Sequence, residues 1–163
     1  MITTKITIES HLAEYLIGKY GTPGEQAVRL PSNLDLYVTL YDLLQKRPAD
    51  CPVDRGNLEL VLPERREAHL PGGKPTQIYN YIGERGARIL SSKVNTMMRA
   101  EMHELFDENK HVYGIDYINS AYYFLRKYSI ESLSVDALLK DYQRWRRKLR
   151  RKTSTRDYHR KQQ

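Results

Sequence analysis

The chain has 163 residues, 40% of them hydrophobic, and a formal net charge of +7. That length suits one domain, or one domain with a small module, and the apolar content is enough to bury a core. No run of eighteen apolar residues occurs, Met1-Ile-Thr-Thr-Lys5-Ile6 lacks the apolar stretch of a secretory leader, and Cys51 is the single cysteine, so a cytoplasmic protein without transmembrane helix or internal disulfide is expected.

The N-terminal third contains a repeat. Ile6-Thr-Ile8-Glu-Ser10-His-Leu12-Ala-Glu-Tyr15-Leu16 matches Val28-Arg-Leu30-Pro-Ser32-Asn-Leu34-Asp-Leu-Tyr37-Val38, each shared position offset by 22. Alternation before each serine predicts a short strand. Ser10 and Ser32 then stand where helix N-caps belong, and Leu12, Tyr15, Leu16 or Leu34, Tyr37, Val38, Tyr41 follow at helical spacing. Leu58-Glu-Leu60-Val-Leu62-Pro63 predicts a third strand after a loop over 46–56, giving β-α-β-α-β over roughly residues 5–63. An open strand edge in so small a sheet invites pairing between two copies, so a homodimer is one option.

Glu64–Lys74 is polar with Pro71-Gly-Gly73 and predicts a surface loop or hinge. A long helix is expected over about 76–108, its buried stripe formed by Ile78, Ile82, Ile89, Val94, Met97, Met98, Met102 and Leu105, with Gly83 and Gly86 weakening its first turns. Gly114 suits a helix stop. Another helix is expected over 116–128, with Ile118, Ala121, Tyr122, Leu125 and Tyr128 inward. A last one begins after Ser134, with Leu138, Tyr142, Trp145 and Leu149 on one apolar seam. Beyond Lys152 no apolar period continues, which predicts a disordered tail.

The charge is unevenly placed. From Arg144 onward there are ten Lys or Arg and one acid, a net of +9; the preceding residues hold 17 bases and 19 acids, a net of −2. Such a concentrated basic segment is the footprint of a nucleic-acid binder. Residues 118–128, the turn 129–133 and the helix from Ser134 resemble a helix-turn-helix unit. Base contacts usually come from the N-terminal turn of the second helix, yet Val135, Asp136, Ala137 and Leu138 are apolar or acidic, so phosphate contact is the better fit. Arg144, Arg147, Lys148 and Arg151 form the expected DNA-binding face, with Arg146, Arg150 and Lys152 assisting.

Other chemistry finds little purchase. The thirteen tyrosines include Tyr79, Tyr81, Tyr113, Tyr117, Tyr122, Tyr123, Tyr128 and Tyr142. Tyrosine can stack on bases, but Tyr122, Tyr128 and Tyr142 at helical spacing read as core. The five histidines form no helical zinc pair and read as surface residues, Cys51 has no CxxC partner, and no glycine-rich phosphate loop occurs. The expectation is no catalytic residue, no metal, no cofactor and no small-molecule substrate, hence no enzyme.

The segments 28–37, 57–63, 107–114 and Trp145-Arg-Arg-Lys-Leu-Arg150 resemble a group of uncharacterised proteins of Bacteroides-type prophages and transposable elements. The resemblance implies a small accessory or regulatory protein of a prophage or mobile element. The sequence thus predicts an α+β protein. Residues 1–74 form a small domain with a strand-helix repeat, residues 75–152 a helical DNA-binding module with a helix-turn-helix-like pair, and residues 153–163 a disordered basic tail. The expected role is duplex-DNA binding in transcription regulation or DNA architecture. A protein–protein adaptor with a basic solubilising tail, or an RNA binder, is the alternative.

Overall fold

Alternation around Ile6 does produce a strand, although it begins earlier than the pattern suggests. In the computed structural model, which describes residues 1–51, 54–66 and 72–160, with side chains as far as Lys152, β1 runs Thr3–Ile6. The elements that follow are α1 (Ser10–Tyr20), α2 (Asp35–Leu43), β2 (Gln45–Lys46), β3 (Leu58–Val61), β4 (Tyr79–Tyr81), α3 (Glu84–His111), α4 (Tyr117–Lys127) and α5 (Val135–Arg160). The fold is therefore α+β.

β1 pairs antiparallel with β3, Ile6 opposite Leu58 and Thr4 opposite Leu60. Thr4 and Ile6 turn inward while Lys5 faces solvent, the period of two that a half-buried strand requires. On the other side of β3, Val28 forms one parallel bridge to Leu60. The Val28 N–H donates to the Glu59 carbonyl at 2.8 Å, and the Val61 N–H to the Val28 carbonyl at 2.9 Å. The leading segments of both repeat units thus flank one strand, although the second contributes a single bridged residue. Asn57 ties the exit of β1 to the start of β3, accepting from the Ile8 N–H at 3.0 Å and donating to the Ile8 carbonyl at 2.8 Å.

The serine caps of the repeat do not form. Ser10 is already helical, with Glu9 at the N-cap position, and α2 begins only after Leu34; neither start has a side-chain cap. A capping hydroxyl must sit on an extended residue just outside the helix. Ser10 is one residue too late for that. Ser32 is too early, because a turn closed by the Leu34 N–H on the Pro31 carbonyl delays α2. The far end of α2 has an unforeseen cap: the Lys74 ammonium reaches the carbonyls of Asp42 and Leu44 at 2.7 and 3.0 Å, where a cation also suits the helix dipole.

Residues 76–83 are not helical. Part of this stretch forms β4, paired with β2 in a second two-stranded sheet too short for any periodicity to announce. α3 starts at Glu84 and buries Gly86, Leu90, Val94, Met98, Met102 and Phe106, one at every fourth position. Ile78, expected on this stripe, is exposed. At the other end Gly114, with φ of +66°, turns the chain back so that the Ile115 N–H reaches the Asn109 carbonyl at 2.8 Å.

α3 packs against α1, α2 and α4, and α4 packs against α5. One hydrophobic cluster runs from Ile6 through Leu58, Val94 and Phe106 to Tyr142, so residues on both sides of the 74/75 boundary share a core. Close approach of α1 to the end of α4 depends on Gly18, where a β-carbon would collide with the Tyr128 carbonyl. Among the described residues, no helix is long and apolar enough to cross a membrane.

Candidate nucleic-acid interface

The basic residues from Arg144 to Arg160 lie on α5, and the manner in which α5 is anchored decides which of those up to Lys152 face outward. Its start is fixed by a true cap: the Ala137 N–H donates to the Ser134 hydroxyl at 3.1 Å. The preceding turn is closed by a helix stop at the end of α4. Ser129 takes φ of +52°, its N–H bonds the Arg126 carbonyl, and the Ile130 N–H bonds the Leu125 carbonyl at 2.9 Å, with Ile130 buried beneath. This pairing satisfies the last carbonyls of α4 through a left-handed residue.

Glu14 of α1 pins the same turn. Its carboxylate accepts from the Glu131 and Ser132 N–H groups at 3.0 and 3.1 Å and from the Ser132 hydroxyl at 2.7 Å. Burial works to raise its pKa, but these hydrogen bonds prevail and hold it below the usual carboxylate range. The N-terminus of α5 is consequently held against α1. The connection between α4 and α5 spans Tyr128–Ser134, longer than the three or four residues of a typical helix-turn-helix turn.

The first turns of α5 are bound to α3 and α4 by an aromatic cluster. Leu138 and Tyr142 are buried. Tyr142 packs on Phe106 and Tyr117 with ring centroids 5.2 and 4.9 Å apart. Its hydroxyl donates to Asp107, and burial together with that carboxylate pushes its pKa well above the ordinary phenol value. Trp145 is half-buried and stacks on His103 with centroids 4.4 Å apart. Asp141 joins α5 to α3 twice, through Arg99 and through the His103 imidazole at 2.9 Å.

Packing at this junction departs from the sequence pattern in three places. His103 is only 9% exposed and is no surface histidine. The inward face of α4 is Ser120, Ala121, Phe124 and Tyr128, so Ile118 and Tyr122 point outward instead. Phe124 takes the core position, packed on Tyr15 and Tyr128. Leu149 is exposed, so the seam ends at Trp145.

Past that point α5 leaves the body. Arg147, Lys148, Leu149, Arg150, Arg151 and Lys152 are all exposed, and six consecutive residues cover more than a full turn. The backbone remains helical to Arg160, where a disordered tail is expected from sequence; residues 161–163 lie outside the described part. Of the seven basic residues assigned to the interface, Arg144, Arg147, Lys148, Arg150, Arg151 and Lys152 are exposed. Arg146 differs: it is half-buried, donates to the Tyr117 hydroxyl at 2.7 Å and lies over the Tyr142 ring. It helps hold α5 to the body.

Comparison with protein-family models, with curated proteins and with solved structures finds no match.

An open cleft lies beside the root of α5, lined by Arg99, His103, Glu104, Asp107, Glu108 and Trp145, with Thr96 at its edge. The Thr96 hydroxyl donates to the Ser92 carbonyl, and the cleft's carboxylates disfavour an anionic ligand. Among the described residues, no three His, Cys, Asp or Glu side chains are grouped to hold a metal ion.

Proposed function

We propose that this chain binds duplex DNA through the outer part of α5 and acts as an accessory or regulatory factor, with phosphate contacts supplying most of the affinity. One observation carries this reading: the positive surplus of the chain is concentrated from Arg144 onward, +9 against −2 for the rest, and of the basic residues there Arg144, Arg147, Lys148, Arg150, Arg151 and Lys152 are exposed on α5. An isolated helix of about 10–12 Å diameter fits the major groove, and a high density of Lys and Arg on it releases counterions from the DNA. The anchored N-terminus of α5 argues against base reading by its first turn. The resemblance to prophage and transposable-element proteins agrees with a cytoplasmic role in regulating or organising DNA.

Binding of the wild type and of an Arg144, Arg147, Lys148, Arg151→Ala variant tests this at low and moderate salt, on duplex DNA of two sequences and on an RNA hairpin. The expected outcome is similar affinity for both duplexes and a log–log salt slope that falls by roughly 0.9 for every phosphate the variant no longer neutralises. Equal duplex affinity of the two proteins, or binding by neither, rejects the reading. Preference for the hairpin would turn it toward RNA.

A further inference from the structure

Six of the ten exposed large hydrophobic side chains among the described residues fall within one twelve-residue stretch: Val112, Tyr113, Ile115, Ile118, Tyr122 and Tyr123. Ile118 and Tyr122, each 55% exposed, are four apart on the outer face of α4, and the exposed Ile115 lies just before the helix. We propose that this face is a homodimer interface in which the α4 helices of two copies pair antiparallel about a two-fold axis near residue 120.

Two features select a second copy as the occupant. The first is charge. α4 has Asp116 at its N-terminal boundary and Arg126 and Lys127 in its last turn. A two-fold axis between Ile118 and Tyr122 sets each Ile118 against the partner's Tyr122 and brings Asp116 toward the partner's Arg126. Unlike ends meet, the helix dipoles oppose, and the contact closes on itself as an isologous interface must. Arg126 makes no ion pair among the described residues, and Asp116 only a loose one to Lys110 at 3.7 Å, so both side chains are available for this contact. The second feature is area. Aromatic side chains carry about 150–250 Å² each, so the three half-exposed tyrosines and three aliphatic side chains of this stretch together expose several hundred Å² of largely apolar surface. That is at the upper end for a monomer's largest patch and approaches the roughly 800 Å² per partner of a stable complex. The inference does not depend on DNA binding, and its test uses none.

Sedimentation equilibrium of the full chain from low to high micromolar concentration reads the outcome. The wild type is expected to approach twice the 19.2 kDa of one chain. Ile118→Glu should remain monomeric throughout, and its circular-dichroism melt should match that of the wild type at concentrations too low for association, since the site is exposed. Asp116→Arg, which removes no helix cap because Asp116 makes no capping hydrogen bond, should weaken the dimer severalfold. Asp116→Arg combined with Arg126→Asp should restore it. A wild type that stays monomeric overturns the proposal, as does a dimer that survives Ile118→Glu combined with Tyr122→Glu. Failure of the double charge swap to restore association overturns the antiparallel arrangement.

Discussion

Glu101 is the residue on which three helices converge. From α3 it accepts a hydrogen bond from the Tyr15 hydroxyl at 2.6 Å and another from Lys19, both on α1, and a third from Tyr128 at the end of α4. Burial alone would raise its pKa, but the bonds from Lys19, Tyr128 and Tyr15 outweigh it and hold the carboxyl below its usual range. A carboxyl whose folded pKa lies below its unfolded value, about 4.3, contributes stability above that pH and loses it as pH falls through the folded value. Glu101→Gln is therefore expected to lower stability near neutral pH by about 1–2 kcal/mol, the range for hydrogen bonds to a partly exposed charge. Its melting temperature should also fall less than that of the wild type on acidification, so that the two curves converge. Parallel curves from pH 7 to pH 3 would show that Glu101 contributes nothing to the acid limb. In sequence Glu101 is one carboxylate in a polar run, because its partners are 86, 82 and 27 residues away.

Among the elements, helix ends depend least on residue type alone. The serine beginning each repeat unit has the chemistry of a cap, and neither caps; Ser134 has the same chemistry and does. Residue type could not separate them, because a cap depends on one residue of chain position, which the preceding turn sets. Ser134→Ala should cost about 1 kcal/mol in denaturant unfolding. Ser10→Ala and Ser32→Ala should each stay within about 0.5 kcal/mol, as for surface changes without a special role. Equal losses at all three serines would contradict the assignment. Rotation of α4 has a similar origin. Ile118, Tyr122 and Leu125 make as good an apolar stripe by spacing as Ala121, Phe124 and Tyr128, and only the surrounding helices choose between them.

For the molecule as a whole, α3 is the shared wall. Its buried stripe begins at Gly86, packed against Ile82 and near Leu43, and ends at Phe106, packed against Tyr142. The N-terminal sheet and the root of α5 are thereby parts of one core. A single cooperative unit should follow. Native-state hydrogen exchange is expected to give the same opening free energy for the Val28 and Val61 amides of the sheet as for amides in the middle of α3, and unfolding followed by Trp145 fluorescence should reach its midpoint with them. A sheet that exchanges well before α3 would divide the chain into two stability units.

What the sequence determined by itself is what depends on local pattern and composition. The mixed α+β class, the strands around Ile6 and Leu60, the three C-terminal helices and the concentration of positive charge from Arg144 onward need only alternation, helical spacing and counting. Tertiary structure decided the features that need distant partners. It set which face of α4 is buried, where α2 and α3 begin, and which basic residue of α5 is held back on Tyr117. It also brought His103 and Asp141 together. Periodicity reports that a segment has an apolar side, whereas the direction of that side, and the burial of a polar group, follow from what the rest of the chain packs against it.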